Sequence, residues 1–204
     1  MDPLQPSHLE LLKELYAGHV GTLAHGYAKA LAASGFDAVV LHSGSLKKRS
    51  DFDDQYWRLR PTPHFAHWCP LQEVDCAMIV AQGAPPKLVR PTAVDFWEHP
   101  ASPETDHWRE IDVVEVKTAD DVKPHLPKGR VAFVGEDASR AASWGIAAVN
   151  PEALVKALDA LRTIKTPYEV LCLADANRRA ALGHEAVLQE FLAGDASELD
   201  LHLR

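Results

Sequence analysis

The run Phe36 to Leu41, FDAVVL, is almost continuously apolar over the length of one strand. A strand with apolar residues on both sides has to lie inside a sheet that is covered on both faces. Arg130 to Val134, RVAFV, is a second run of the same kind. Around them the periodicity is helical. From Ser7 the residues Leu12, Leu15, Tyr16, Val20, Leu23, Tyr27, Ala30 and Leu31 recur at three- and four-residue spacing, the mark of one buried helical face. Gly35 ends that helix as a left-handed cap. Asp75 to Ala81 and Lys87 to Arg90 read as two strands of a loose hairpin through Gln82, Gly83 and the Pro85-Pro86 pair, closed by Pro91. Ile111 to Val116 alternates as a strand, and Thr118 with Asp121 makes a shortened capping box for a brief helix that Pro124 limits. Gly135 turns the chain into a helix around Ala138 to Trp144. Asn150-Pro151 caps another, whose Leu154, Leu158 and Leu161 face inward. Strands separated by helices predict an α/β fold with a mixed β-sheet flanked by helices.

At 204 residues the chain buries one good core or one core and the start of a second. With 21 basic against 29 acidic residues and a net charge of -8, the balance argues against nucleic acid or an anionic membrane as partner. No apolar stretch is long enough to span a bilayer. The first residues, MDPLQPSHLELLKEL, lack the basic and apolar regions of a secretory signal. Cys69, Cys76 and Cys172 are odd in number and widely spaced, which predicts reduced thiols in a cytoplasmic protein.

Charge, rings and turn residues are densest from His42 to Pro70, HSGSLKKRSDFDDQYWRLRPTPHFAHWCP, directly after the first buried strand. Loops that leave central strands commonly carry sites. Asp51, Asp53 and Asp54 precede Tyr56, Trp57, Arg58 and Arg60, so carboxylates, guanidinium groups and amphipathic rings share one short loop. That mixture suits a polar ligand with an apolar part. Lys47, Lys48 and Arg49 read as a solvated loop face. Pro61, Pro63 and Pro70 predict an extended segment from His64 to Cys69. Alternation would put His67 and Cys69 on one face and His64 on the other, which argues for ordinary half-buried residues and against a metal site. Phe96, Trp97, His99, His107 and Trp108, between Asp95 and Trp108, sit among prolines and acids and read as local packing.

Leu161 to Val170, LRTIKTPYEV, has linker character, and Val170, Leu173, Asn177, Ala180, Ala181, His184, Val187, Leu188 and Phe191 then mark a long amphipathic helix. Gly194 ends it, and Asp195 with Glu198 opens another. Arg204 follows after scarcely two turns, which reads as a fragment whose second domain is mostly missing.

Four stretches carry a family likeness: LYAGHVGTL from Leu15, VVLHSGS from Val39, DDQYWRLRPTPHFAHWCP from Asp53, and RTIKTPYEV from Arg162. The sequence resembles the N-terminal half of a bacterial Xaa-Pro dipeptidase, or prolidase, in the wider creatinase and aminopeptidase P family. The resemblance implies an N-terminal α/β domain over residues 1–160, a linker over 161–168, and in 169–204 the initial helices of a truncated pita-bread domain. It implies hydrolysis of the peptide bond before a C-terminal proline by a cytoplasmic homodimer. Two divalent metals, typically manganese, would be held by two Asp, one His and two Glu of the second domain. A bridging hydroxide of lowered pKa would attack the carbonyl while the metals stabilise the oxyanion. No cofactor is then expected in this chain, which alone would be inactive. Asp54 would reach a partner subunit's substrate pocket, with Trp57 and Arg58 beside it. An Asp there meets a dipeptide's amine and an Arg its carboxylate. The sequence departs from the common pattern between Gln55 and Arg60, where relatives more often carry Tyr or Pro and a Lys.

Two other readings stay beside this one. A naturally truncated, non-catalytic module would bind peptide or dimerise through the same sheet. A self-contained hydrolase on Ser43 or Ser45 with His42 and Asp54 is disfavoured, because there is no GxSxG elbow and sequence neighbours on a strand point to opposite faces.

Overall fold

The structure is a computed structural model that describes residues 6–92, 110–194 and 196–203. The aromatic segment from Asp95 to Trp108 lies outside the described residues. Contacts divide the chain into two compact units: Tyr16–Ile164, and the start of the first helix together with the chain from Lys165 onward.

Helix α1 (Pro6–Ser34) belongs to the larger unit from Tyr16 onward and supplies it with Tyr16, Val20, Leu23, Tyr27, Ala30 and Leu31, all buried, on the face its spacing predicts. Gly35 at φ 72° ends it. Six strands follow: β1 (Ala38–His42), β2 (Ala77–Ala81), β3 (Lys87–Pro91), β4 (Asp112–Val116), β5 (Val131–Val134) and β6 (Ala148–Val149). They form one sheet in the order β4-β3-β2-β1-β5-β6. β2 runs antiparallel to β1 and β3, while β3–β4, β1–β5 and β5–β6 are parallel, so the sheet is mixed. Every residue of β1 is buried, as its unbroken apolar run requires.

Alternation sends Val40, Ala77, Ile79, Val89 and Phe133 to one face. There they pack with Val122 of a 3-10 helix (Ala119–His125), Ala141 of α3 (Ala138–Ser143), Trp144 and Ile146. Helices α2 (Pro63–Trp68) and α4 (Glu152–Leu161) join α1 in a second layer, where Tyr27 meets Trp68 edge-on at 5.0 Å and Tyr16 donates to the Trp68 carbonyl at 2.7 Å. Gly26 lets α4 approach, since a Cβ there would lie 2.8 Å from a Leu161 methyl.

Three local expectations need correction. His64 to Trp68 is helical, and only the C-cap Cys69 is extended: Pro63 occupies the first helical position, where a missing N–H costs nothing, and Phe65 and Trp68 at a three-residue spacing are both buried. Asn150 does not cap α4. It sits in the left-handed region at φ 47°, and its side chain accepts from Gly135 N–H at 3.0 Å and donates to Gly135 C=O at 2.8 Å. The shortened capping box of Thr118 and Asp121 does form, but its helix runs on through Pro124.

In the smaller unit, α5 (Pro167–Ala193) starts inside the stretch read as linker. Thr166 and Glu169 form a reciprocal capping box, so the polar TPYE sequence is a helix start. Gly194 closes α5 at φ 89°. Helix α6 (Glu198–His202) is opened by the capping box of Ser197 and Asp200, and Asp195 lies outside the described residues. Leu173, Leu182, Leu188 and Phe191 of α5 are exposed.

Candidate functional site

β1 ends at His42, and Ser43 and Gly44 start an excursion that runs to Thr62, just before α2. Both ends of this excursion are pinned. Ser43 N–H donates to the Cys76 carbonyl at 2.9 Å, and Cys76 N–H donates to Ser43 Oγ at 3.0 Å. Thr62 donates from Oγ1 to the His42 carbonyl at 2.5 Å and from its N–H to the Ser43 carbonyl at 3.0 Å. Between them the chain folds into a small hairpin: Trp57 N–H bonds the Lys47 carbonyl at 2.8 Å, Arg49 N–H bonds the Gln55 carbonyl at 2.9 Å, and Lys48 bridges Tyr56. The Arg49 guanidinium lies 4.8 Å from the Trp57 ring centre, a cation–π contact on an exposed face.

An open cleft of about 510 Å³ lies where the loops after β1 and β5 meet. Gly44, Ser45, Leu46 and Lys47 line it from one side, Trp57 to Arg60 with Thr62 from another, and Glu136 and Asp137 from the third. Trp57 and Arg58 are therefore brought together in its wall. Asp54 is not: it is exposed at the turn of the hairpin, next to Asp53, whose Oδ1 accepts from Gln55 N–H at 2.9 Å. Trp57 is 59% exposed. Lys47 pairs with Glu136 at 2.6 Å, which raises the lysine pKa.

Behind the cleft is a polar network that sequence reasoning missed. His42, fully buried, bonds Asp75 Oδ1 through Nε2 at 3.2 Å, while its ring packs 5.5 Å from both Phe133 and Trp144. Ser45 Oγ lies 2.8 Å from Asp75 Oδ1 and 2.8 Å from Asp137 Oδ2. Arg140 pairs with Asp75 at 3.3 Å and with Asp120 at 3.2 Å. Burial alone would raise the Asp75 carboxyl, but the hydrogen bonds from His42 and Ser45 and the Arg140 charge outweigh it and hold the group below its ordinary value. Asp137 is pushed down to about 2, chiefly by the Ser139 hydroxyl against the opposing effect of burial, with help from the Arg140 N–H and Ser45. The one local signal was Asp137 as the N-cap of α3; its side chain accepts from Arg140 N–H at 3.0 Å.

This order of groups cannot run serine chemistry, because the carboxylate stands between the histidine and Ser45. A nucleophile has to touch its base. Ser43 is buried under the Cys76 amide. Burial pushes the Cys69 thiol up to about 12 and raises Cys76 as well, so neither is an activated thiol. Among the described residues no three His, Cys, Asp or Glu side chains converge as a metal ion would require. His64 Nε2 instead bonds Asp159 at 3.1 Å, and His19 Nε2 lies 2.7 Å from the His67 carbonyl. No described helix is long and apolar enough to cross a membrane.

A family model described as "Xaa-Pro dipeptidase, N-terminal domain" matches residues 14–160. The chain is 37% identical over 199 residues to an Xaa-Pro dipeptidase of Pseudoalteromonas atlantica, covering 95% of this chain and 44% of that protein. It is 35% identical over 201 residues to one of Pectobacterium carotovorum, covering 96% and 45%. The chain thus spans less than half the length of these curated relatives. Among solved structures it resembles Escherichia coli aminopeptidase P with a TM-score of 0.56 at 11% identity, covering 86% of this chain and 44% of the other, a likeness of fold. The match over residues 14–160, which hold all six strands of the sheet, and the identity over nearly the full chain place it in the Xaa-Pro dipeptidase family, as a sequence of that family's N-terminal domain type.

Proposed function

We propose that this chain is the dimer-forming, substrate-restricting part of a cytoplasmic, metal-dependent Xaa-Pro dipeptidase that cleaves the bond before a C-terminal proline. In this reading residues 1–160 form the N-terminal domain, 161–168 the connection and 169–204 the first helices of a catalytic domain. The two divalent metals, manganese by family, belong to that domain, and residues 1–204 alone turn over no substrate. Asp54, Trp57 and Arg58 are contributed to the substrate pocket of a second subunit. The observation that carries this is the hairpin: its stem is fixed by backbone bonds, Asp54 is presented to solvent at its turn, and Trp57 is exposed at its base beside the cleft. An exposed carboxylate, ring and guanidinium on a rigid stem are placed to meet a ligand held by another body.

Two measurements test it. The purified chain with manganese should release no proline from Leu-Pro and should sediment as a dimer. In an enzyme carrying both halves, Asp54→Ala should raise KM for Leu-Pro about tenfold, about 1.4 kcal/mol, with kcat changed far less. Metal-dependent turnover by the chain alone, or an unchanged KM, refutes the assignment.

A further inference from the structure

The cleft between the loops after β1 and β5 stands at a reversal of the sheet. β1 and β5 are parallel neighbours, yet the strand that follows β1 lies on one side of the pair and the strand that follows β5 on the other, in the order β2-β1-β5-β6. The two chains therefore part beyond the carboxyl ends of these strands, where the cleft opens. Open α/β sheets bind ligands at such reversals. About 510 Å³ is within the range of small-molecule sites.

Three cations and two carboxylates line the cleft. Lys47 and Glu136 offset each other, paired at 2.6 Å. The Asp137 carboxylate is held in place by Ser45, Ser139 and the Arg140 amide. Two guanidinium groups are left to a ligand: Arg58 has only a 3.4 Å contact with Gln72, and among the described residues Arg60 has no side-chain partner. A phosphate monoester, with three terminal oxygens, can fill two guanidinium forks, whereas a carboxylate has oxygens for one.

The other lining groups add to this. Trp57 is exposed in the cleft wall, and Arg49, which does not line the cleft, covers one face of its ring at 4.8 Å. The other face is left for a planar group, whose stacking the cation behind the indole does not disturb. On the opposite wall Glu136 and Asp137 keep carboxylate lone pairs that accept from hydroxyls, the role an acidic residue takes on ribose at the same end of other α/β sheets. An inorganic anion would use the guanidinium groups and leave the ring and the acceptors idle.

We propose that this cleft binds a nucleoside monophosphate, its base stacked on Trp57, its phosphate held by Arg58 and Arg60, and its ribose hydroxyls donating to Glu136 and Asp137. The site lies within the unit Tyr16–Ile164 and needs neither a metal nor a second subunit.

Isothermal titration of the purified 204-residue chain with adenosine monophosphate, without metal, tests this. Saturable binding of one nucleotide per chain is expected. Adenosine, which lacks the phosphate, and ribose 5-phosphate, which lacks the base, should each bind about tenfold more weakly. Two substitutions at exposed positions separate the contacts. Arg60→Gln should weaken the nucleotide about tenfold and leave adenosine unchanged, while Trp57→Ala should weaken the nucleotide about tenfold and leave ribose 5-phosphate unchanged. Absence of saturable heat up to ~10 mM nucleotide overturns the proposal. So does inorganic phosphate bound as tightly as the nucleotide, or nucleotide binding indifferent to both substitutions. Because turnover is not read, failure here leaves the Asp54 assignment standing, and an unchanged KM there leaves this one standing.

Discussion

Replacing Asp75 by Asn removes one charge from the buried side of the cleft and little else. Asp75 holds a left-handed backbone at φ 56°, a conformation that Asn also tolerates, so the turn should survive. Its Oδ1 takes hydrogen bonds from His42 and Ser45 and an ion pair from Arg140. An amide oxygen keeps the first two as neutral bonds, each worth about half of a charged one, and loses the pair. The cost should be about 2 kcal/mol at pH 7, and Asp75→Ala, which also strands the buried His42 N–H, should cost about 4 kcal/mol.

The sign of the pH dependence follows from the depressed pKa. A carboxyl whose folded pKa lies below its unfolded value, here 3.8, contributes stability that is present above 3.8 and is lost as pH falls through the folded pKa. The gap between native chain and Asp75→Asn should therefore be full at pH 7 and should close below pH 3.8. Urea unfolding followed by the fluorescence of the buried Trp68 and Trp144 reads it. Equal midpoints at pH 7, or a gap that persists unchanged in acid, would show that the network carries no net stabilisation.

Two further substitutions probe the same end of the sheet. Gly135→Ala places a Cβ 2.9 Å from His42 Cβ and 3.0 Å from the Phe133 ring, both parts of the buried layer, and should destabilise by about 1–3 kcal/mol in the same unfolding assay. Asp137→Ala removes the N-cap of α3 and should cost about 1 kcal/mol at pH 7. Because Asp137 is depressed to about 2, that cost should fade between pH 3.8 and about 2.

What could be read from the residues alone follows from range. The strand β1 was visible because an unbroken apolar run has one consistent environment, and the buried face of α1 because eight residues share one period. The helix α2 was hidden because prolines were weighed as breakers, although one at the first helical position is an opener. The linker before α5 looked polar for a related reason: Thr166 and Glu169 are polar because they cap. Both cases concern residues whose meaning reverses with their place at a helix start.

The site was legible in part for a different reason. Trp57 and Arg58 are neighbours in sequence, so their joint presence in the cleft wall needed no tertiary knowledge. The opposite wall comes from residues after β5, and Ser45 and Asp137, which meet at 2.8 Å, are 92 positions apart. Only the parallel pairing of β1 with β5 brings them together, since it sets Leu41 beside Val134 and so aligns the two departing loops. The register of one strand pair thus decides which charges face the hairpin. A slip of one residue would turn the side chains of β5 to opposite faces of the sheet, exchange Phe133 for its neighbours beneath His42, and carry Asp137 away from Ser45. The sheet core and the cleft are specified by the same packing, and the apolar run that dictates burial of β1 is also what fixes the site.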